Sequence, residues 1–284
     1  MASFWIIAVA VILNTVNKLY TKFAIHKTDS FTFLLAINVL AGILSFPILL
    51  INFNQAVVLT WWQIFIMFCV GGLWSLNGYL AHLTIEKSEV SVREPLTQLQ
   101  IVWATLSGIF FFKEVITTQQ FFGIILILIS GMVLVYKKGV TQNFSKEKHL
   151  FLILVYTLFT AFVAAMEKFV MSFTTPEVFM FFSYFSTSIL LIPFISTNLQ
   201  NVRQSIKYKG VLFWGGLLTF ITYIATLYVY KNFDFAISYP LLKIATPLTA
   251  VAGILLFNEK KNLGRKIVAI VLATLGVVLI KVSL

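Results

Sequence analysis

Ten mostly apolar stretches follow one another along this chain with few residues between them: 3–23, 30–51, 61–83, 89–112, 118–136, 150–171, 177–196, 210–230, 235–257 and 263–280. A hydrocarbon core about 30 Å thick takes about 20 helical residues to cross, at roughly 1.5 Å per residue. Backbone polar groups in lipid must find partners inside their own segment, so spans of this length are helices. The longest connection, 137–149, leaves no room for a separate soluble domain. The pattern predicts an all-α polytopic membrane protein with ten transmembrane helices. Composition agrees. The 284 residues are 60% apolar and 11% charged, whereas soluble domains run at roughly 45–50% and about 25%. One cysteine, Cys69, excludes a disulfide framework or a cysteine metal site. The first stretch lacks the basic start and small-residue cleavage site of a secretory signal, so it reads as a retained helix.

The chain also repeats itself. Segment 89–138 lies over 234–283 without gaps at a constant shift of 145: Pro95 meets Pro240, Gly108 meets Gly253, Phe112 meets Phe257, Glu114 meets Glu259 and Gly131 meets Gly276. Upstream the shift drifts by a few residues, with Gly71-Gly72 and Tyr79 answering Gly215-Gly216 and Tyr223, Pro47 answering Pro193, and Lys18 answering Lys168. Five spans therefore repeat as five. Because five is odd, the second copy enters the membrane from the opposite side, which gives two inverted five-helix repeats. Such symmetry suits a central site opened alternately to either face.

The segments EPLTQLQIVWATLSGIFFFKEVITTQQFFGIILILISGMVLV and YPLLKIATPLTAVAGILLFNEKKNLGRKIVAIVLATLGVVLI, within this ten-span layout, resemble the drug/metabolite transporter (DMT) superfamily, and its EamA-type branch in particular. The resemblance implies a first EamA-like repeat over 1–138, a connecting loop over 139–148 and a second repeat over 149–284. It also implies transport, more often efflux than uptake, of substrates ranging from amino acids and sugars to nucleotide derivatives, phosphates and drugs.

The formal charge of +11 is mostly topological. Most of the 21 Lys and Arg fall in loops on one side: Lys22, Lys27, Lys87, Lys137, Lys138, Lys146, Lys148, Arg203, Lys207, Lys209, Lys260, Lys261, Arg265 and Lys266. The other side holds Lys113, Lys231 and Lys281. Basic short loops favour the cytoplasm, which places both termini outside. The resemblance implies the reverse, with both termini cytoplasmic.

Charges inside spans carry more information, because each costs about 2.5–3.5 kcal/mol at a helix centre on insertion scales. Lys243 lies nearest a midplane, and Lys18, Glu94 and Glu167 also fall within the hydrocarbon. Their positions suggest two pairs, Lys18 with Glu94 and Glu167 with Lys243. The stems of Lys18, Arg93 and Lys168 can alternatively reach the interface. An ammonium at the midplane favours a substrate with a carboxylate or phosphate, and Glu94 and Glu167 are candidate proton carriers. Pro95, Pro240 and Pro247 kink or loosen spans four and nine and suggest a gating element. Around them Asn14, Asn17, Asn77, His82, Gln98, Gln100, Tyr223, Tyr239 and Thr246 form a candidate lining, with Trp74 and Trp103 as candidates for stacking on substrate. Trp61 and Trp62 read as interface anchors. Glu114 and Glu259 read as structural, satisfying backbone groups at the turn into the next helix, and Gly108, Gly131, Gly253 and Gly276 as points of close helix approach.

There is no phosphate-binding loop, metalloprotease helix, nucleophile elbow or Cys/His metal spacing. The triplet Asn143-Phe144-Ser145 formally matches a glycosylation sequon. The reading implies no enzyme activity and no cofactor. It predicts a secondary transporter of a small metabolite, amino acid-like or otherwise bearing a carboxylate or phosphate; the alternatives are an uptake permease for a sugar or nucleotide-type metabolite and a non-transporting membrane protein. Its partners are the substrate and the lipid bilayer, with proton coupling possible, no nucleic acid and no required oligomer. A bacterial or archaeal inner membrane is the expected location.

Overall fold

The computed structural model describes residues 2–25, 27–28, 30–87, 96–135, 150–193, 199–249, 252 and 263–282. Among these the chain is helical, with no strand. The α-helices, in order, are α1 (Ala2–Ile25), α2 (Ser30–Ile51), α3 (Phe53–Val57), α4 (Trp61–Lys87), α5 (Leu99–Phe111), α6 (Thr118–Val135), α7 (Leu150–Val170), α8 (Pro176–Leu191), α9 (Leu199–Ser205), α10 (Lys209–Asn232), α11 (Phe235–Lys243) and α12 (Leu263–Val282). One 3-10 turn, Ile206–Tyr208, links α9 to α10.

Four of these helices are long and apolar enough to cross a membrane, over Phe31–Ile51, Trp61–Ala81, Leu150–Val170 and Lys209–Asn232. Shorter apolar runs occupy Trp5–Thr21, Leu99–Phe111, Thr118–Val133, Pro176–Leu191 and Ile267–Ile280. The protein is thus a helical membrane protein. Trp61, 88% exposed, and Trp62 stand at the start of a spanning helix, as expected of interface anchors.

Where the helices start and stop follows from local chemistry. Thr60 and Gln63 form a reciprocal capping box before α4, with Thr60 N donating to Gln63 Oε1 at 2.9 Å and Gln63 N to Thr60 Oγ1 at 3.4 Å. Thr117 and Gln120 repeat the device before α6, at 2.9 and 3.3 Å. Each box satisfies orphan N–H groups of a first helical turn. Pro176 opens α8, where its missing N–H costs nothing.

The ninth stretch is not one continuous helix. α11 ends at Lys243, Ile244 is a turn, and helix resumes over 245–249. Pro247 has no N–H to offer the Lys243 carbonyl, so the ladder fails there. Pro240 likewise leaves the Ala236 carbonyl without its helical donor, and the Thr105 hydroxyl reaches that carbonyl at 3.5 Å.

The helices gather into two compact units, Met1–Leu76 with Met166–Asn232 and Asn77–Ala165 with Phe233–Leu284. These units do not follow the division of the sequence at 138/149, since each draws on both halves. In the first, α1 packs on α10, and α2 on α8 and α10. In the second, α5 packs on α11, and α6 on α12 and α11.

Glu114 corrects one sequence expectation. Its carboxylate does not serve the helix that follows it. Oε1 and Oε2 accept from the N–H groups of Phe235 and Ala236, at 2.6 and 2.7 Å, and so cap α11. Lys113, in a left-handed conformation with φ 56°, turns the chain after α5 so that Glu114 can reach back. Gly108 is needed for a related reason, because a Cβ there would collide with the Glu114 carboxylate and with Ala236. Charge-assisted bonds to a helix N-terminus are among the stronger kind. Replacing Glu114 with Ala is expected to destabilise the fold by about 1–3 kcal/mol, read as a lower unfolding temperature in detergent. An unchanged temperature would remove the cap from the account.

Candidate functional site

In the first unit a buried carboxylate collects side chains from four helices. Glu167, on α7, is 1% exposed. Its Oε1 accepts from Trp74 Nε1 of α4 at 2.6 Å and from the Tyr223 hydroxyl of α10. Tyr223 also lies 3.1 Å from Ser183 Oγ of α8. Its ring packs edge-on against Tyr184, with centroids 5.2 Å apart, and the Tyr184 hydroxyl donates to the Thr219 carbonyl at 3.4 Å. Both described donors go to Oε1; among the described residues none reaches Oε2. A carboxylate oxygen held in a buried place with spare acceptor capacity can take a hydroxyl from a bound molecule. A polar seam continues from here along α1 and α10. Asn14 Nδ2 donates to Thr226 Oγ1 at 3.2 Å and to the Ala10 carbonyl at 2.9 Å, and Thr219 Oγ1 donates to Asn17 Oδ1 at 3.5 Å.

The sequence chose Glu167, Trp74, Tyr223, Asn14 and Asn17 singly, and the fold gathers them in one unit. It also adds to their chemistry, because within its own unit Glu167 takes hydrogen bonds from two neutral donors. Ser183 and Tyr184 were not singled out. Their signal is faint: Ser183, Ser186 and Thr187 share one face of α8 by i, i+3, i+4 spacing. That face meets α4 so closely that a Cβ on Gly71 would lie 2.7 Å from the Ser183 carbonyl. Ser186 and Thr187 donate to the carbonyls of Phe68 and Gly71, at 2.7 and 2.9 Å.

The second unit holds a different polar cluster. Lys243 Nζ donates to Gln100 Oε1 at 2.7 Å and stands 4.8 Å from the centre of the Tyr239 ring, whose hydroxyl donates to the same Gln100 oxygen at 3.3 Å. Lys243 is half-buried, and Gln100 and Tyr239 are buried. Trp103 Nε1 donates to Thr157 Oγ1 at 3.3 Å, which ties α5 to α7. Asn77, buried on α4, accepts from Thr160 Oγ1 at 2.8 Å. The buried Gln98 lies where a Cβ on Gly131 would be, so Gly131 makes room for a side chain where close helix approach was expected. Thr246 is half-buried and Pro240 buried. Pro247 lines an apolar groove of about 260 Å³ together with Ile244, Leu248, Ile270, Ala273, Thr274, Val277 and Val278.

Lys18 is exposed. Glu94, Pro95, Arg93, Gly253, Glu259 and the 139–148 loop lie outside the described residues, as does the side chain of His82. Among the described residues no group of His, Cys, Asp and Glu could hold a metal ion.

The sequence pattern of a family described as "Sugar transport protein" matches residues 31–284. A crystal structure of a protein 13% identical in sequence superimposes with a TM-score of 0.72, covering 99% of this chain and 96% of that one; at that identity the likeness is one of fold. No curated protein matches the chain.

Proposed function

The chain belongs to the Sugar transport protein family, and on that premise we propose that it is a secondary carrier moving a sugar across the membrane by alternating access. Membership makes it a membrane transporter; the substrate and the mechanism are our reading. The observation that carries it is the Glu167 cluster. Sugars are recognised by carboxylates that accept their hydroxyls and by aromatic rings that cover their apolar faces. Among the described residues no donor reaches Glu167 Oε2, and Trp74 and Tyr223 stand beside that carboxylate. The ten-span layout of two inverted repeats rests on the 145-residue register, as does kinship with EamA-type carriers. Support for that layout comes from packing within the units, where helices of corresponding rank in the two halves meet, α5 with α11 and α6 with α12. Glu167 is also the group we place in any proton coupling.

The test is flux in proteoliposomes, comparing neutral sugars, amino acids and phosphate esters, with and without an imposed pH gradient. Flux of neutral sugars above the other classes is the expected result. Preference for a carboxylate or phosphate ester would instead favour the second reading, an anionic solute held by Lys243, which the half-buried ammonium at Gln100 supports. Under that second reading Lys243→Met is expected to lower flux at least about tenfold, since charge-assisted hydrogen bonds contribute about 1.5–3 kcal/mol. Undiminished flux overturns that second reading.

A further inference from the structure

The geometry points to a releasable gate where α7 and α10 end, closed by two lysines that cross from each helix end to the other. Lys168, in the last turn of α7, donates to the Tyr230 carbonyl in the last turn of α10 at 2.7 Å. Lys231, in the last turn of α10, donates to the Thr174 carbonyl just beyond α7 at 3.0 Å. A third tie joins α8, where the Tyr228 hydroxyl meets the carboxylate of Glu177 in that helix's first turn. Two helix C-termini side by side have dipoles that repel, and a cation at each end offsets them. The carbonyls that end α7 already accept the N–H groups of Met171, Ser172, Phe173 and Thr174, so the crossed lysines act mainly as ties between the two ends.

The position gives the exchange its role. Lys168 follows Glu167 in sequence, and Tyr230 lies seven residues beyond Tyr223, about 10 Å along the helix. The clasp therefore stands at one end of the Glu167 cluster, on the same two helices. It is also made to come apart. Lys231 and Tyr228 are exposed and Lys168 half-buried, so water can replace each bond at small net cost. The packing of α4 on α8 at Gly71, backbone against side chains and backbone, has no such substitute. Helices that part at the clasp and hold at Gly71 would open the cluster from this end alone. This inference rests on the reading of Glu167 as the substrate contact.

The experiment uses the full chain in lipid nanodiscs with Cys69→Ser and a reporter Thr226→Cys, which lies between Tyr223 and Tyr230 on α10. A cationic methanethiosulfonate reports access without any sugar present. Lys168→Met with Lys231→Met is expected to raise the labelling rate about tenfold, as two modest hydrogen bonds are lost, while Lys231→Arg keeps it low. If the double variant does not fold, Lys231→Gln alone is measured, with a smaller rise expected. An unchanged rate in a folded variant overturns the gate. Because labelling needs no substrate, that failure is separable from failure of the sugar reading, which flux through Glu167→Gln decides.

Discussion

Sugar flux through Glu167→Gln is expected to fall by about ten- to a hundredfold while the protein remains folded. Glutamine keeps the shape of the side chain and one carbonyl oxygen, which can still accept from Trp74 Nε1 and Tyr223. What it removes is the second carboxylate oxygen and the charge. An amide NH₂ then stands where a substrate hydroxyl would donate, so two donors face each other. Hydrogen bonds to charged groups contribute about 1.5–3 kcal/mol, and each 1.4 kcal/mol is about tenfold. Glu167→Ala is a different experiment. It leaves the Trp74 and Tyr223 donors without their acceptor, at a penalty of about 1–3 kcal/mol each, so lower stability accompanies the lost flux. Proteoliposome flux and thermal unfolding of both variants separate the two effects. Wild-type flux in Glu167→Gln would place the substrate elsewhere.

The parts of this molecule that could be read from sequence are those set by local rules. α2 begins and ends at the residues hydropathy alone gives, and α6 and α12 fall within a few residues of expectation. α11 does not, because two prolines seven residues apart interrupt the ladder that a hydropathy count treats as continuous. The five-residue α3 and seven-residue α9 went unread for the opposite reason: neither is long enough to show an apolar period. The capping boxes Thr60–Gln63 and Thr117–Gln120 were legible as T-x-x-Q before an apolar run, a signal weaker than the hydropathy it sits beside.

The candidate site divides along the same line. Burial of Glu167 followed from a charge inside an apolar run. Its described partners did not, since Trp74 is 93 residues away and Tyr223 is 56, and no local pattern links them to it. A buried carboxylate needs donors, and an indole N–H and a phenol supply them without the desolvation of a second charge. Glu114 shows the same limit. The repeat marked it as structural, but what it holds lies 121 residues on, at a helix start that no local pattern connects to it.

Gly276→Leu is expected to unfold or strongly destabilise the second unit, and Gly123→Leu to do the same. The two glycines face each other where α6 and α12 cross. A Cβ on either would stand 2.7 Å from the carbonyl oxygen of the other, and next to Ile280 or Ile127. Neither carbonyl can retreat, because each belongs to a helical backbone, so the helices must separate along their contact. Overpacking a well-filled site costs about 1–3 kcal/mol even where side chains can shift; against backbone the cost exceeds that range. Small residues matter more in lipid than in water here, since tight van der Waals contact replaces the hydrophobic drive between helices. Gly210 and Gly264 supply the control. A Cβ on either meets nothing within 4 Å, so Ala there is expected to leave stability unchanged or raise it by up to about 1 kcal/mol through helix propensity. Yield and unfolding temperature of the four variants give the comparison. If Gly276→Leu unfolds at the same temperature as Gly264→Ala, α6 and α12 do not cross at these glycines.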